Sequence, residues 1–201
     1  MNDYWFEILI WFVICLAVAP LTLLLHELSH YLAARAFGAE ALKLHWLSIS
    51  FELESLSHMG KTAVAIAGPS VSWLIILCCY LFTPVVTTSI WLPLILCSGL
   101  FANIRALVGL GPIIRTALGH EGIIFTGLDE WEFARLVGLP SLSVIFVSLL
   151  IMFAALFYFS QQAVLLRGSA HLAILFIGYA TSLFLYVRLG PRLLPGGAGF
   201  A

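Results

Sequence analysis

The chain has 201 residues, of which 62% are hydrophobic and 9% carry a charge, and its mean hydropathy is +1.09. A soluble domain contains about 25% charged residues, so this composition excludes a soluble globular protein and predicts an integral membrane protein in contact with the lipid bilayer. The net charge of −1 gives no reason to expect nucleic acid as a partner. The length suits a single domain over residues 1–201.

Five apolar runs are long enough to cross a bilayer, which takes about 20 helical residues. They cover about 8–36, 62–83, 89–109, 140–160 and 170–189. Asp3 and Glu7 stand where a cleavable signal peptide would be basic, so the first run is predicted to remain as a permanent span. The four cysteines lie in apolar runs and are interpreted as small buried hydrophobic residues. The predicted fold is an all-α polytopic membrane protein with about five transmembrane helices.

Lysine and arginine are unevenly distributed around these runs. With the N-terminus outside, eight of the nine basic residues fall on the cytoplasmic side and Arg167 falls on the other. The bias predicts a cytoplasmic C-terminus and places His30 near the cytoplasmic end of the first span. The small size favours a prokaryotic inner membrane.

The run His26-Glu27-Leu28-Ser29-His30 places three ionisable side chains in an apolar stretch, where such residues are costly and usually functional. On a helix the two histidines share one face and stand about 6 Å apart along the axis. Two imidazoles at that spacing can hold one Zn²⁺, and Glu27 can act as general base towards water at the metal. The alternative is that the three side chains pair with one another inside a helical bundle.

Residues 42–55 differ from the rest of the chain, because polar and apolar side chains alternate there. This period of two predicts a short β segment on the cytoplasmic side, between the first two spans. The alternative is an interfacial loop anchored by Trp46. A strand with a free edge could bind an extended peptide by strand addition, which makes Ile49 and Phe51 candidate substrate contacts.

A catalytic zinc usually has three protein ligands and one open position. The third ligand should be another His, Asp or Glu that reaches the same depth. The segment between the third and fourth spans offers His120, Glu121, Asp129, Glu130 and Glu132.

Three segments of the chain, in order, resemble the site-2 protease family of zinc intramembrane metalloproteases. The first is the histidine motif continued by Ala34 and Gly38, which is similar to the family pattern HExxHxxxAxxxG. The second, residues 67–72, is similar to AGPxxN with Ser72 in place of Asn. The third is Leu128-Asp129, which resembles the family's Leu-Asp-Gly although Glu130 replaces the glycine.

The resemblance implies a minimal metalloprotease core without a PDZ domain. It implies one Zn²⁺ per chain held by His26, His30 and Asp129, with Glu27 as catalytic base and Ser72 near the substrate. The implied activity is zinc-dependent endoproteolysis of a transmembrane protein or peptide near the cytoplasmic face.

Other interpretations remain open at this point. Asp129 could be an acid at a helix N-terminus that needs no metal, and Glu121 is then the next candidate ligand. The replacements at positions 72 and 130 favour a non-catalytic or inactive metal-binding membrane protein of the same fold. A metalloenzyme acting on a different substrate and a purely structural scaffold are the further alternatives.

Overall fold

The computed structural model describes residues 2–45, 48–87, 91–118, 129–140 and 142–193. Its helices are α1 (Asn2–Ala36), α2 (His58–Phe82), α3 (Leu92–Phe101), α4 (Leu110–Ala117), α5 (Asp129–Leu136), α6 (Ser143–Arg167) and α7 (Ser169–Leu193). Two strands, β1 (Lys43–Leu44) and β2 (Ile49–Ser50), lie between α1 and α2. A single turn of 3-10 helix covers Leu53–Ser55, and a longer 3-10 segment covers Ile104–Gly109.

Within these residues, five helices are long and apolar enough to cross a membrane. They are Tyr4–Ala36, His58–Phe82, Leu92–Gly109, Ser143–Arg167 and Ser169–Leu189. The predicted all-α polytopic membrane fold, with a small β segment between the first two spans, is confirmed. The fourth span differs most from its prediction, because the helix starts at Ser143 after Pro140 and continues to Arg167 before Gly168, which has a positive φ of 91°.

The spans pack around α1. Helix α7 runs parallel to α1, since the Ser182 hydroxyl donates to the Leu16 carbonyl at 2.6 Å and Arg167 and His171 both lie beside Glu7. Helix α2 runs antiparallel to α1, since Val64 lies beside His30 whereas Ser72, later in α2, lies beside His26, which is earlier in α1. The protein therefore has one end that carries Glu7 and an opposite end where the motif lies.

The shared core is made of buried side chains from α1, α2, α3, α6 and α7. Its members are Trp11, Cys15, Val18, Ala19, Cys79, Leu92, Leu96, Cys97, Leu100, Phe101, Ala155, Phe159, Ala163, Leu175 and Tyr179. The prediction that the cysteines are buried is confirmed for Cys15, Cys79 and Cys97 and is wrong for Cys78, which is exposed; all four are free thiols.

The predicted β segment forms a hairpin rather than one strand through 42–55. Strands β1 and β2 pair antiparallel, with Lys43 opposite Ser50 and Leu44 opposite Ile49. The chain must return from the end of α1 to the start of α2, and it does so by folding back on itself. Trp46, the anchor in the alternative interpretation, lies outside the described residues.

A glycine in α3 sets how closely α3 and α6 approach. A methyl group at Gly99 would overlap the buried ring of Phe159, and overpacking of this kind costs about 1–3 kcal/mol. We therefore expect Gly99→Ala to lower the thermal unfolding midpoint in detergent, despite the gain of about 0.5–1 kcal/mol in helix propensity. Gly111→Ala in α4, where the methyl group meets nothing within 4 Å, is the matched control. Equal or higher stability of Gly99→Ala would contradict this packing.

Candidate metal centre

Helix α1 presents His26 and His30 on one face, as the four-residue spacing predicts. Their ring centroids are 4.9 Å apart, and their Nε2 atoms approach to 3.2 Å. Both residues are only 4% exposed. Two imidazoles buried against each other in an apolar bundle need a partner that satisfies both Nε2 atoms.

The partner is Asp129, the first residue of α5. Its Oδ2 atom lies 3.1 Å from Nε2 of His26 and 3.2 Å from Nε2 of His30. Asp129 is about 100 positions from the two histidines in sequence. The three side chains form the one cluster among the described residues with geometry suited to a metal ion. The structure thus brings together the three predicted ligands, whereas Glu121 and His120 lie outside the described residues.

The outer nitrogen of each ring is also occupied. Nδ1 of His30 lies 2.6 Å from the Val64 carbonyl, and Nδ1 of His26 lies 3.1 Å from the Ser72 hydroxyl. A carbonyl can only accept, so Nδ1 of His30 carries the proton and the neutral ring turns a lone pair on Nε2 towards the cluster. Partners of this kind are typical of metal-binding histidines, because they fix the ring orientation and tautomer.

The spacing of the three inner atoms fits one divalent cation. Tetrahedral ligands about 2.0–2.1 Å from an ion stand about 3.3 Å from one another, and the separations here are 3.1 and 3.2 Å. Without a cation, the facing lone pairs and the carboxylate would repel unless an imidazole took an extra proton. The donor set of two imidazoles and one carboxylate leaves room for a fourth ligand and suits a borderline-soft cation.

Gly68 of α2 forms a wall beside the inner nitrogens of the two imidazoles. A methyl group built on it would overlap Nε2 of both His26 and His30. The glycine between Ala67 and Pro69 therefore leaves the two ring nitrogens the space that a side chain would fill. Ser72, one turn further along α2, is 1% exposed and lies behind His26. Its contact positions the ring, and its expected role at the substrate stays a prediction.

The protonation of Asp129 suits a ligand. Burial alone would raise the pKa of this carboxyl, but hydrogen bonding to His26 and His30 and the charge of Arg105 lower the pKa below its usual range. Asp129 is therefore a carboxylate at neutral pH, the form in which an aspartate binds a metal. Its side chain is 28% exposed, in contrast to the deeply buried histidines.

Glu130, which replaces the glycine of the family pattern, anchors α5. Its Oε1 accepts from the Ser148 hydroxyl at 2.9 Å, and Asn103 Nδ2 donates to the Ser148 carbonyl at 2.9 Å. Burial is the main cause of the raised pKa of Glu130. This chain of contacts links α5 to α6 and to the segment after α3, and it fixes where Asp129 stands. Sequence reasoning missed it, although an acid in place of a glycine was the available signal.

Arg105 is a residue of the candidate site that sequence reasoning did not identify. It lies in the 3-10 segment Ile104–Gly109, and its Nη1 donates to Oε1 of Glu27 in a close ion pair. The two residues are 78 positions apart, and no local pattern connects them. A basic residue in an apolar run was the one hint.

A cavity of about 310 Å³ opens beside the cluster. Its wall includes Glu27, His30 and Asp129 together with the predicted contacts Ile49 and Phe51. The remaining lining residues are Ser48, Leu53, Lys61, Val64, Ala65, Arg105, Glu132 and Leu136. The β segment and the candidate metal centre thus line one common cavity.

Comparison of the chain with protein-family models, with curated proteins and with solved structures finds no match. The resemblance to the site-2 protease family therefore stays a prediction that rests on the residues quoted above.

The wall formed by Gly68 gives a direct test of the centre. Gly68→Ala should displace both imidazoles and weaken metal binding by at least about tenfold, the size of effect seen when supporting contacts of metal ligands are lost. The measurement is metal affinity of the purified protein by competition with a chelator of known affinity. Gly60→Ala, on the same helix but away from the imidazoles, should keep the wild-type affinity. Unchanged affinity in Gly68→Ala would contradict the geometry of the cluster.

Proposed function

We propose that this protein is a zinc-dependent intramembrane endopeptidase that cleaves transmembrane segments of membrane proteins. One Zn²⁺ per chain would be held by His26, His30 and Asp129. The observation that carries the proposal is the ring of three ligand atoms 3.1–3.2 Å apart, with Glu27 in the wall of the same cavity. A protein that only stores metal would not need Glu27 beside the three ligands.

The bound cation would polarise both a water molecule and the scissile carbonyl. Glu27 is the next residue after His26, and its carboxylate is the base that takes the proton of the attacking water and passes it to the leaving amine. Ser72 and Val64 hold the two imidazoles in orientation. Asp129 supplies the negative charge of the ligand set.

The substrate would enter as an unwound segment, because a helix hides its carbonyls in its own hydrogen bonds. Ile49 and Phe51 line the same cavity as Glu27, His30 and Asp129. Among the described residues the sheet has two strands, so β2 keeps an edge that can pair with an extended chain. Such pairing would hold the scissile bond in the cavity. The apolar residues of the cavity wall would then determine which substrate side chains fit.

The distribution of basic residues supports a cytoplasmic location for the active site. Arg167 lies with Glu7 at one end of the bundle, whereas Arg35, Lys43, Lys61 and Arg105 belong to the end that carries the motif. The positive-inside rule then places the motif end and the C-terminus in the cytoplasm and the N-terminus outside. A prokaryotic inner membrane is the proposed location.

One observation favours an alternative, a non-catalytic metal-binding membrane protein of the same fold. The Glu27 carboxylate is engaged by Arg105, and a base that stays in this ion pair is a weaker proton acceptor. The alternative predicts metal binding without peptide hydrolysis.

Replacement of the base separates the two functions. Membranes from cells that produce the wild type should contain new protein N-termini within transmembrane segments, and those from cells that produce Glu27→Gln should not, although both proteins hold zinc. Mass spectrometry of labelled N-termini detects such cleavage in any membrane protein of the cell. Glu54→Gln, at an exposed position outside the cavity lining, is the charge-matched control and should behave as wild type.

Two results would contradict the assignment. Identical new N-termini with wild type and Glu27→Gln would exclude Glu27 as the base. Their absence from both samples, with zinc bound to both proteins, would support the non-catalytic alternative.

A further inference from the structure

Arg105 is bound to the base in the wall of the cavity. Its side chain is 35% exposed, whereas the Glu27 side chain to which it is bound is 5% exposed. Both residues line the cavity. A molecule that binds against Glu27 therefore also meets the guanidinium of Arg105.

The ion pair limits what can reach Glu27. A neutral peptide that displaces Arg105 would leave a buried carboxylate and a partly buried cation without partners, which is strongly unfavourable. An incoming carboxylate replaces the lost partner of Arg105. It can also share the guanidinium, because that group carries five N–H donors in a planar fork and Nη1 is the one that donates to Glu27.

The other charged groups of the cavity are consistent with an anionic ligand. Asp129 is bound to the two imidazoles, and Glu132 is bound to Arg135. Lys61 also lines the cavity, and among the described residues no acidic side chain lies within ion-pair distance of it. The cavity wall carries three carboxylates, Glu27, Asp129 and Glu132, against the two cations Lys61 and Arg105. A divalent cation bound to the three ligands would make the net charge of this wall positive.

We propose that Arg105 recognises a carboxylate on the substrate next to the bond to be cleaved, and that this carboxylate draws the guanidinium away from Glu27. The proposal rests on the proposed function and adds a substrate class to it. The carboxylate belongs either to an acidic side chain or to a free C-terminus of the peptide. In the absence of such a group, Arg105 keeps the base engaged.

Small probes that carry the carboxylate alone test this recognition directly. N-acetyl-leucine and N-acetyl-leucinamide differ in a terminal carboxylate. The α-amides of N-acetyl-glutamic acid and N-acetyl-glutamine differ in a side-chain carboxylate. Binding of each probe to the zinc-loaded protein would be measured by saturation-transfer NMR titration in wild type, Arg105→Gln and Arg135→Gln, and zinc content would be measured on the same samples.

In wild type, at least one acid should bind about tenfold more tightly than its amide, because a charge-assisted bond to arginine is replaced by a weaker neutral one. The pair that shows the preference identifies the source of the carboxylate. The preference should disappear in Arg105→Gln and persist in Arg135→Gln, because Arg135, unlike its partner Glu132, is not part of the cavity lining. Arg105→Lys should keep only part of it, since an ammonium lacks the planar fork.

Three results would overturn the proposal. The first is equal binding of acid and amide to the wild type. The second is a preference for the acid that survives in Arg105→Gln because the carboxylate binds the zinc directly. The third is an equal loss of the preference in Arg105→Gln and Arg135→Gln. Zinc content separates these results from failure of the proposed function. A wild type that holds zinc but shows no preference refutes the recognition role alone. Should Arg105→Gln fail to fold, an undiminished preference in Arg105→Lys would count against the proposal.

Discussion

Four ionisable side chains, those of His26, Glu27, His30 and Asp129, lie together in an apolar helix bundle. Each of them needs a hydrogen-bonding or charged partner, and this need constrains the rest of the structure. An unpaired buried polar group costs several kcal/mol and a buried charge costs more. His30 is bound to the Val64 carbonyl, His26 to Ser72, Glu27 to Arg105, and Asp129 to both imidazoles. These partners come from distant parts of the chain, so the motif on α1 determines where α2, the segment after α3 and α5 must stand.

The same requirement explains the local features around the centre. Gly68 has no side chain because the two imidazoles occupy the space beside it. Glu130 is buried and held by Ser148, and it keeps the first turn of α5 against α6. Asp129 therefore has a fixed position although the segment before it is long. The candidate metal centre is thus built from α1, α2 and α5, and the cavity beside it is also lined by Ile49 and Phe51.

Sequence reasoning predicts most of this fold because a membrane span leaves a strong signal in composition and length. The helical spacing of His26 and His30 also follows from the sequence, since four residues make about one turn. The pairing of Glu27 with Arg105 and of Glu130 with Ser148 could not be predicted, because the partners are 78 and 18 positions apart, on different elements, and no local sequence pattern connects them. The hairpin was predicted as one strand, since alternation of polar and apolar residues does not reveal where a chain turns back.

If His26, His30 and Asp129 hold one metal ion, the zinc stoichiometry of the detergent-purified protein will show it. We expect one zinc per chain in the wild type and in Glu121→Gln, loss of zinc in His26→Ala, and weakened binding in Asp129→Asn. A wild type that stays free of zinc after loading with excess metal would exclude a metal centre at these residues. Unchanged zinc binding in Asp129→Asn, together with loss of zinc in Glu121→Gln, would exclude Asp129 as the third ligand.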